Sequence, residues 1–247
     1  VHHAGISSLN LGFGGESGGG AYHSLYDTYD HYKRFSDGDF TYGVTLAKVN
    51  SRLVLRLSES EILPYRFINM ADNIKTFIDS NKKLAKEVKE KTAIRNNLLD
   101  KKAFTIAKNP KIQYSPPKRL SEMKDFDFSS LDRSYSKLLD AAISFEKAIE
   151  RSKIDNISQA DLIEINRLIR EVEGALTLEK GLPRRPWYKN MIYAPGFYTG
   201  YGVKTLPGIR EGLEERKWDE VDLYILEVSK AIERASNKIK KAASLIG

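Results

Sequence analysis

Leu131, Tyr135, Leu138, Ala142, Phe145 and Ile149 fall three or four positions apart, the spacing that gathers side chains on one face of an α-helix. Leu162, Ile165, Ile169, Val172 and Leu176 repeat the pattern, and the two stretches together predict a helical hairpin. Ser158 followed by Asp161 resembles a capping box and marks the start of the second helix. Val221, Tyr224, Val228, Ala231, Ala235, Ile239 and Ala242 predict one long final helix, whose small residues permit a close helix neighbour. Phe67, Ala71, Ile74 and Ile78 form an earlier stripe that continues less clearly past Leu84 and Val88. From about residue 64 onward the pattern is that of a mainly α fold, an antiparallel helical bundle.

The N-terminal quarter reads differently. "GISSLNLGF" at 5–13 alternates enough to predict a strand, and "GGESGGG" at 14–20 predicts a loop, because so many glycines cost too much entropy inside a regular element. Tyr42, Leu46, Val49, Leu53 and Leu57 predict a helix that Pro64 closes off. Two later stretches break the helical period. The Pro-rich region between about 104 and 128 predicts an extended connection. Residues 180–207 hold four prolines, four glycines and six aromatics without any period. An irregular stretch of that length is usually functional or disordered, and its aromatic content argues against disorder.

Composition changes this picture little. With 41% hydrophobic and 30% charged residues the 247-residue chain can build a sizeable core, as one large domain or one domain and part of another. No apolar run approaches the roughly 18 residues of a membrane span. The chain opens without Met and already in apolar residues, which reads as a piece of something longer. The absence of cysteine excludes disulfides and thiolate chemistry. The net charge of +7 is concentrated: residues 81–124 carry thirteen Lys/Arg against four Asp/Glu, and residues 1–62 carry five against seven. The lysines of 81–124 interleave with glutamates and no nucleic-acid-binding motif accompanies them, so a solvated helix face is expected and no nucleic-acid partner.

Four histidines are the candidates for metal or proton chemistry. His2 and His3 are adjacent and would point to opposite faces of a strand, which disfavours joint ligation. His31 lies in the first turns of an expected surface helix. His23, in "AYHSLYDT" after the glycine run, is open to three readings on its own: metal ligand, general base, or hydrogen-bonded structural residue.

Three stretches in order narrow that choice. "YHSLYDTY" at 22–29, "ILPY" at 62–65 and "GLPRRPWYKNMIYAPGFYTGYGVKTLPGI" at 181–209 resemble the C-terminal third of the glutamate carboxypeptidase II and transferrin receptor family of M28-type zinc peptidases. "LAKV" at 46–49 approximates a further motif. The resemblance spans essentially the whole chain. It implies a remnant of an α/β peptidase domain at 1–62, containing its last strand and helix portion, and a transferrin-receptor-like helical dimerisation domain at 63–247. It implies His23 as the last ligand of a two-zinc site, Tyr22 as the hydroxyl donor to the tetrahedral intermediate, and Asp27 as the acidic neighbour that orients His23. It implies Tyr201 as the loop residue that contacts the substrate's C-terminal residue. The remaining zinc ligands and the glutamate base belong upstream, so two zinc ions are expected in the intact parent and none in the fragment, which should be inactive alone. A homodimer, a peptide substrate and a secreted, periplasmic or membrane-anchored setting are implied as well.

The departures are informative. Glutamate-specific members place lysine immediately before the loop tyrosine, where this chain has Gly200. They place two arginines in the strand before the glycine loop, where this chain has Asn10 and Gly12. An acidic substrate would lose its charge-assisted partners there, which argues against glutamate specificity. The receptor branch has lost its metal ligands, so Tyr22-His23 favours an active parent enzyme over the alternative, a non-catalytic dimerisation module with a vestigial site.

Overall fold

The computed structural model describes residues 2–14 and 21–247. Its helices are α1 (Tyr29–Phe35), α2 (Thr41–Ser58), α3 (Phe67–Asp100), α4 (Ala103–Ile106), α5 (Ser129–Arg151), α6 (Gln159–Ala175), α7 (Pro207–Glu214) and α8 (Trp218–Ile246). The only sheet among the described residues pairs β1 (Tyr193–Pro195) with β2 (Val203–Thr205), antiparallel, with Ala194 opposite Lys204. The protein is therefore mainly α, a helical bundle. Contacts divide it into two units: Tyr65–Gly247 together with the residues up to Ser7, and Ser8–Pro64.

In the larger unit α8 is the central element. Val221, Val228, Ala231, Ile232, Ala235, Ile239 and Ala242 are all fully buried, at the spacing read from the sequence. Each large one contributes roughly 1.5–3 kcal/mol by leaving water. The expected hairpin of α5 on α6 does not form: both pack mainly along α8 instead. Alanine and serine at 229, 231, 235, 236, 242 and 243 are all buried, and these short side chains let two helices approach α8 on different sides. Ion pairs give the directions. Lys241 with Glu164 and Lys238 with Glu171 set α6 antiparallel to α8. Ser229 with Ser130 and Lys137 with Glu233 set α5 parallel to it. Ser158 caps α6 as expected, its Oγ accepting from Asp161 N at 3.1 Å and donating to Asp161 Oδ2 at 2.6 Å.

α3 runs 34 residues without glycine or proline. It packs antiparallel on α5, with Phe67 edge-on to Phe145 at 5.0 Å and Lys82 on Asp132 at 2.5 Å. Its stripe fades in sequence because the buried positions turn polar at Asn81, Thr92 and Asn96. Asn96 holds the extended connection: its Nδ2 donates to Leu120 O at 2.9 Å and its Oδ1 accepts from Leu120 N at 3.1 Å. The extended connection expected from about 104 begins after the single turn of α4: residues 107–128 carry no helix or strand, only turns at 107 and 110–111, in keeping with the prolines. Cations of the basic segment pair with acids at Lys82–Asp132, Lys89–Asp125, Arg119–Asp100 and Lys124–Asp222.

In the smaller unit α2 forms as expected, yet Leu46, Leu53 and Leu57 are only half-buried and Tyr42 and Val49 are exposed. Asp37 is buried and holds the start of α2, accepting from Tyr42 N at 3.1 Å, Gly43 N at 2.8 Å and Tyr32 Oη at 3.1 Å. The strand expected over 5–13 does not form, and Ile6, Leu9 and Phe13 are exposed. A strand is held by a ladder to a neighbouring strand, and the described residues offer this segment none. Of the predicted glycine loop, only Gly14 lies within the described residues.

Candidate functional site

Residues 21–28 fold as a pair of tight turns organised by Ser24. Its N–H and its hydroxyl both donate to Ala21 O, at 2.9 and 2.6 Å. Its Oγ accepts from Tyr26 N at 3.1 Å and its carbonyl accepts from Asp27 N at 3.1 Å. Thr28 then caps α1, accepting from His31 N at 3.2 Å. These turns put His23 in the left-handed region at φ 60, uncommon for any residue with a side chain. Its ring stacks on that of Tyr22, with centroids 4.0 Å apart and planes 24° from parallel. Both rings are exposed, Tyr22 at 78%. Asp27 reaches His23 through the backbone: its Oδ2 accepts from the His23 main-chain N–H at 3.3 Å. Asn10 is exposed in the irregular segment that precedes the turns.

Among the described residues no three His, Asp or Glu side chains converge in a metal-holding arrangement. A protein zinc site takes three or four ligands. His23 itself offers a single imidazole.

The 180–207 stretch is ordered by a small set of polar groups. Asn190, fully buried, donates to Glu173 Oε1 at 2.8 Å and accepts from Ile192 N at 2.8 Å and Tyr193 N at 3.2 Å. The Tyr193 hydroxyl donates to the same Glu173 oxygen at 3.0 Å. Burial and then the Glu173 charge push its pKa well above the ordinary tyrosine value. The histidines near the N-terminus serve this stretch: His2 Nδ1 lies 3.1 Å from Tyr193 O, and His3 Nδ1 lies 2.7 Å from Trp187 O. His2 O accepts from Lys189 N and Asn190 N at 2.8 and 3.1 Å.

The strands β1 and β2 lift a tip at Gly196–Gly202. Gly196 N donates to Gly202 O at 2.9 Å, Gly202 N to Thr199 O at 3.0 Å, and Thr199 Oγ1 to Gly202 O at 2.6 Å. Tyr201 is 98% exposed at its end, and Tyr198 is exposed beside it. Gly200 adopts φ +56 with open space where a Cβ would stand. Beneath the tip Arg185 and Glu211 form an ion pair at 2.5 Å, their side chains only 9% and 5% exposed. The sequence reading passed over both: Arg185 was visible in "LPRRP", but nothing local ties it to a glutamate 26 residues on.

Residues 126–240 match the transferrin receptor-like dimerisation domain family. Over 97% of its length the chain is 29% identical to a probable glutamate carboxypeptidase of Arabidopsis thaliana, LAMP1, and covers 30% of that protein. Over 99% of its length it is 26% identical to a probable glutamate carboxypeptidase of Arthroderma benhamiae, covering 28% of it. It is also 22% identical, over 77% of its length, to an inactive zinc metalloprotease of Schizosaccharomyces pombe, covering 26% of it. The chain thus spans about a third or less of the length of these relatives.

Proposed function

We propose that the chain belongs to the glutamate carboxypeptidase and transferrin receptor family, on its match to the dimerisation-domain family and its relatives, and that it forms the C-terminal part of a dinuclear-zinc exopeptidase of the M28 type. Residues 1–62 close the peptidase domain and residues 63–247 form the helical dimerisation domain. His23 is one zinc ligand, through a neutral imidazole nitrogen, and the other ligands and the general base come from the rest of the longer protein. Tyr22 directs its hydroxyl at the developing oxyanion, where a preorganised donor acts most strongly. Asp27 fixes the His23 backbone and so the direction of the ring. Tyr201 contacts the C-terminal residue of a peptide substrate, and Gly200 and Asn10, in place of cations, accommodate uncharged groups.

The observation that carries this reading is the left-handed His23 with its exposed ring stacked on Tyr22. An unfavourable backbone conformation held by a network of turns is a recurrent mark of functional positions. The half-exposed stripe of α2 is further support, since a helix of a complete domain covers such a face. A second reading, a receptor-like dimerisation module with a vestigial site, is favoured by the relative named as an inactive metalloprotease.

The test is His23→Ala in the full-length protein, with zinc content and peptide hydrolysis measured together. Loss of zinc and of most activity supports the enzyme reading, and unchanged zinc and activity refute it. A wild-type protein without hydrolysis or zinc favours the receptor reading. The isolated 247-residue chain should hold no stoichiometric zinc and hydrolyse nothing. Two zinc ions per chain would place the ligands among His2, His3, His31 and the acids around Asp27 and Asp30.

A further inference from the structure

We infer that the buried Arg185–Glu211 pair is a positioning device that aims the Gly196–Gly202 tip, and with it Tyr198 and Tyr201. The two partners grip the chain on either side of Gly196. Arg185 Nη1 donates to Pro195 O at 2.5 Å and its Nη2 to Glu211 Oε2 at 2.5 Å, while Glu211 Oε1 accepts from Phe197 N at 2.8 Å. The bonds inside the tip join Gly196, Thr199 and Gly202 to one another, so they set its shape and not its direction. The strands beneath it are three residues each, too short to aim it alone. Glu211, in contrast, projects from α7 between the fully buried Ile209 and Leu213, and α7 packs on α8 and α3.

The surroundings extend the grip. The Phe197 ring, first residue of the tip beyond Gly196, is faced by Arg184 at 5.4 Å and Arg185 at 5.9 Å. Arg184 is itself anchored on Glu220 at 2.6 Å. Gly196 leaves no room for a side chain, since a Cβ there would lie 2.3 Å from Thr199 Oγ1. A buried ion pair usually contributes little more net stability than two well-packed apolar residues. What it adds here is direction, because charge-assisted bonds of this kind are short and geometrically strict.

That difference makes the inference testable in the full-length protein. Arg185→Met combined with Glu211→Leu removes the charges and keeps apolar packing. In it the amides of Phe197 and Gly202 should exchange about ten-fold faster, while those of Val228 and Ile232 in α8 keep their protection, as expected of a local opening. Should the double variant fold poorly, Arg185→Lys keeps the charge and loses the fork, and the same local acceleration is expected. Unchanged tip exchange overturns the inference, as does acceleration that only follows a matching loss in α8.

The consequence for substrate rests on the reading of Tyr201 given above. KM for a peptide should rise about ten-fold with kcat changed less than about two-fold, the pattern of lost uniform binding. A loosened tip with unchanged KM keeps the positioning role and removes the substrate role of Tyr201. A raised KM with an unloosened tip overturns the positioning role.

Discussion

Gly208 lies so close to the ring of Tyr224 that a Cβ at position 208 would stand 2.2 Å from Tyr224 Cδ1. The glycine is in the first turn of α7 and the ring is on α8, so the two helices meet at a distance only glycine allows. The Tyr224 hydroxyl then donates to Gly181 O at 2.9 Å. One side chain therefore joins α8, α7 and the foot of the aromatic stretch.

Gly208→Ala should force the ring or α7 to move. Overpacking of this kind costs about 1–3 kcal/mol, which for a chain of this size lowers the melting temperature by roughly 2–4 °C per kcal/mol. Urea denaturation of the variant beside the parent measures it. A loss below about 0.5 kcal/mol, the range of an ordinary surface change, would mean that the ring swings aside freely.

Tyr224 also has a pH signature. Burial first, with Glu220 and Glu227 adding to it, pushes its hydroxyl up to about 12, against about 10 for a free tyrosine. The folded state holds this proton more tightly than the unfolded state. The corresponding stability is complete below pH 10 and is lost as pH rises through 12. Tyr224→Phe should lose about 1 kcal/mol at neutral pH with the bond to Gly181. The difference between parent and variant should shrink between pH 10 and 12, and parallel stability curves across that window would contradict it.

Gly200→Lys tests the substrate reading of the tip. The φ of +56 and the absence of any heavy atom within 4 Å of a Cβ mean that lysine meets no clash, at a conformational cost of about 1–2 kcal/mol. In the full-length enzyme, hydrolysis of substrates ending in glutamate should rise relative to those ending in leucine. A constant ratio of the two kcat/KM values shows that the tip does not read the substrate's last residue.

Residues 63–247 should mediate a homodimer. Leu223 and Leu226 on α8 and Ile163 on α6 stay more than half exposed, and two-fold self-association is the commonest way to cover apolar surface on a bundle. Sedimentation at micromolar concentration should give twice the chain mass in the full-length protein, and a strictly monomeric species rules the dimer out.

Local periodicity sufficed wherever one helix face had to be apolar. The stripes of α2, α5, α6 and α8, the Ser158–Asp161 cap and the extended connection read over about 104–128, apart from the turn of α4 at its start, were legible, because each depends on residues a few positions apart. The turn bearing Tyr22 and His23 was legible as a motif. Its backbone was not, since φ 60 at His23 comes from the bonds around Ser24 and not from any residue that demands it.

Pairings between distant residues were decided by the tertiary structure alone. Nothing in the spacing of Leu131 to Leu176 tells whether α5 and α6 face each other or share α8, because an apolar stripe specifies burial and not the partner. The strand read at 5–13 failed for the related reason that its alternation calls for a neighbour that the described residues do not supply. Arg185 and Glu211 stand 26 residues apart, and only the packing of α7 beneath the β1–β2 tip turns two ordinary charges into a buried pair. The sequence by itself determined where the long helices α2, α3, α5, α6 and α8 lie, through short-range sterics and periodic burial. The tertiary structure decided which helix each stripe meets and which charges lose water together, since those depend on contacts that close over long stretches of chain.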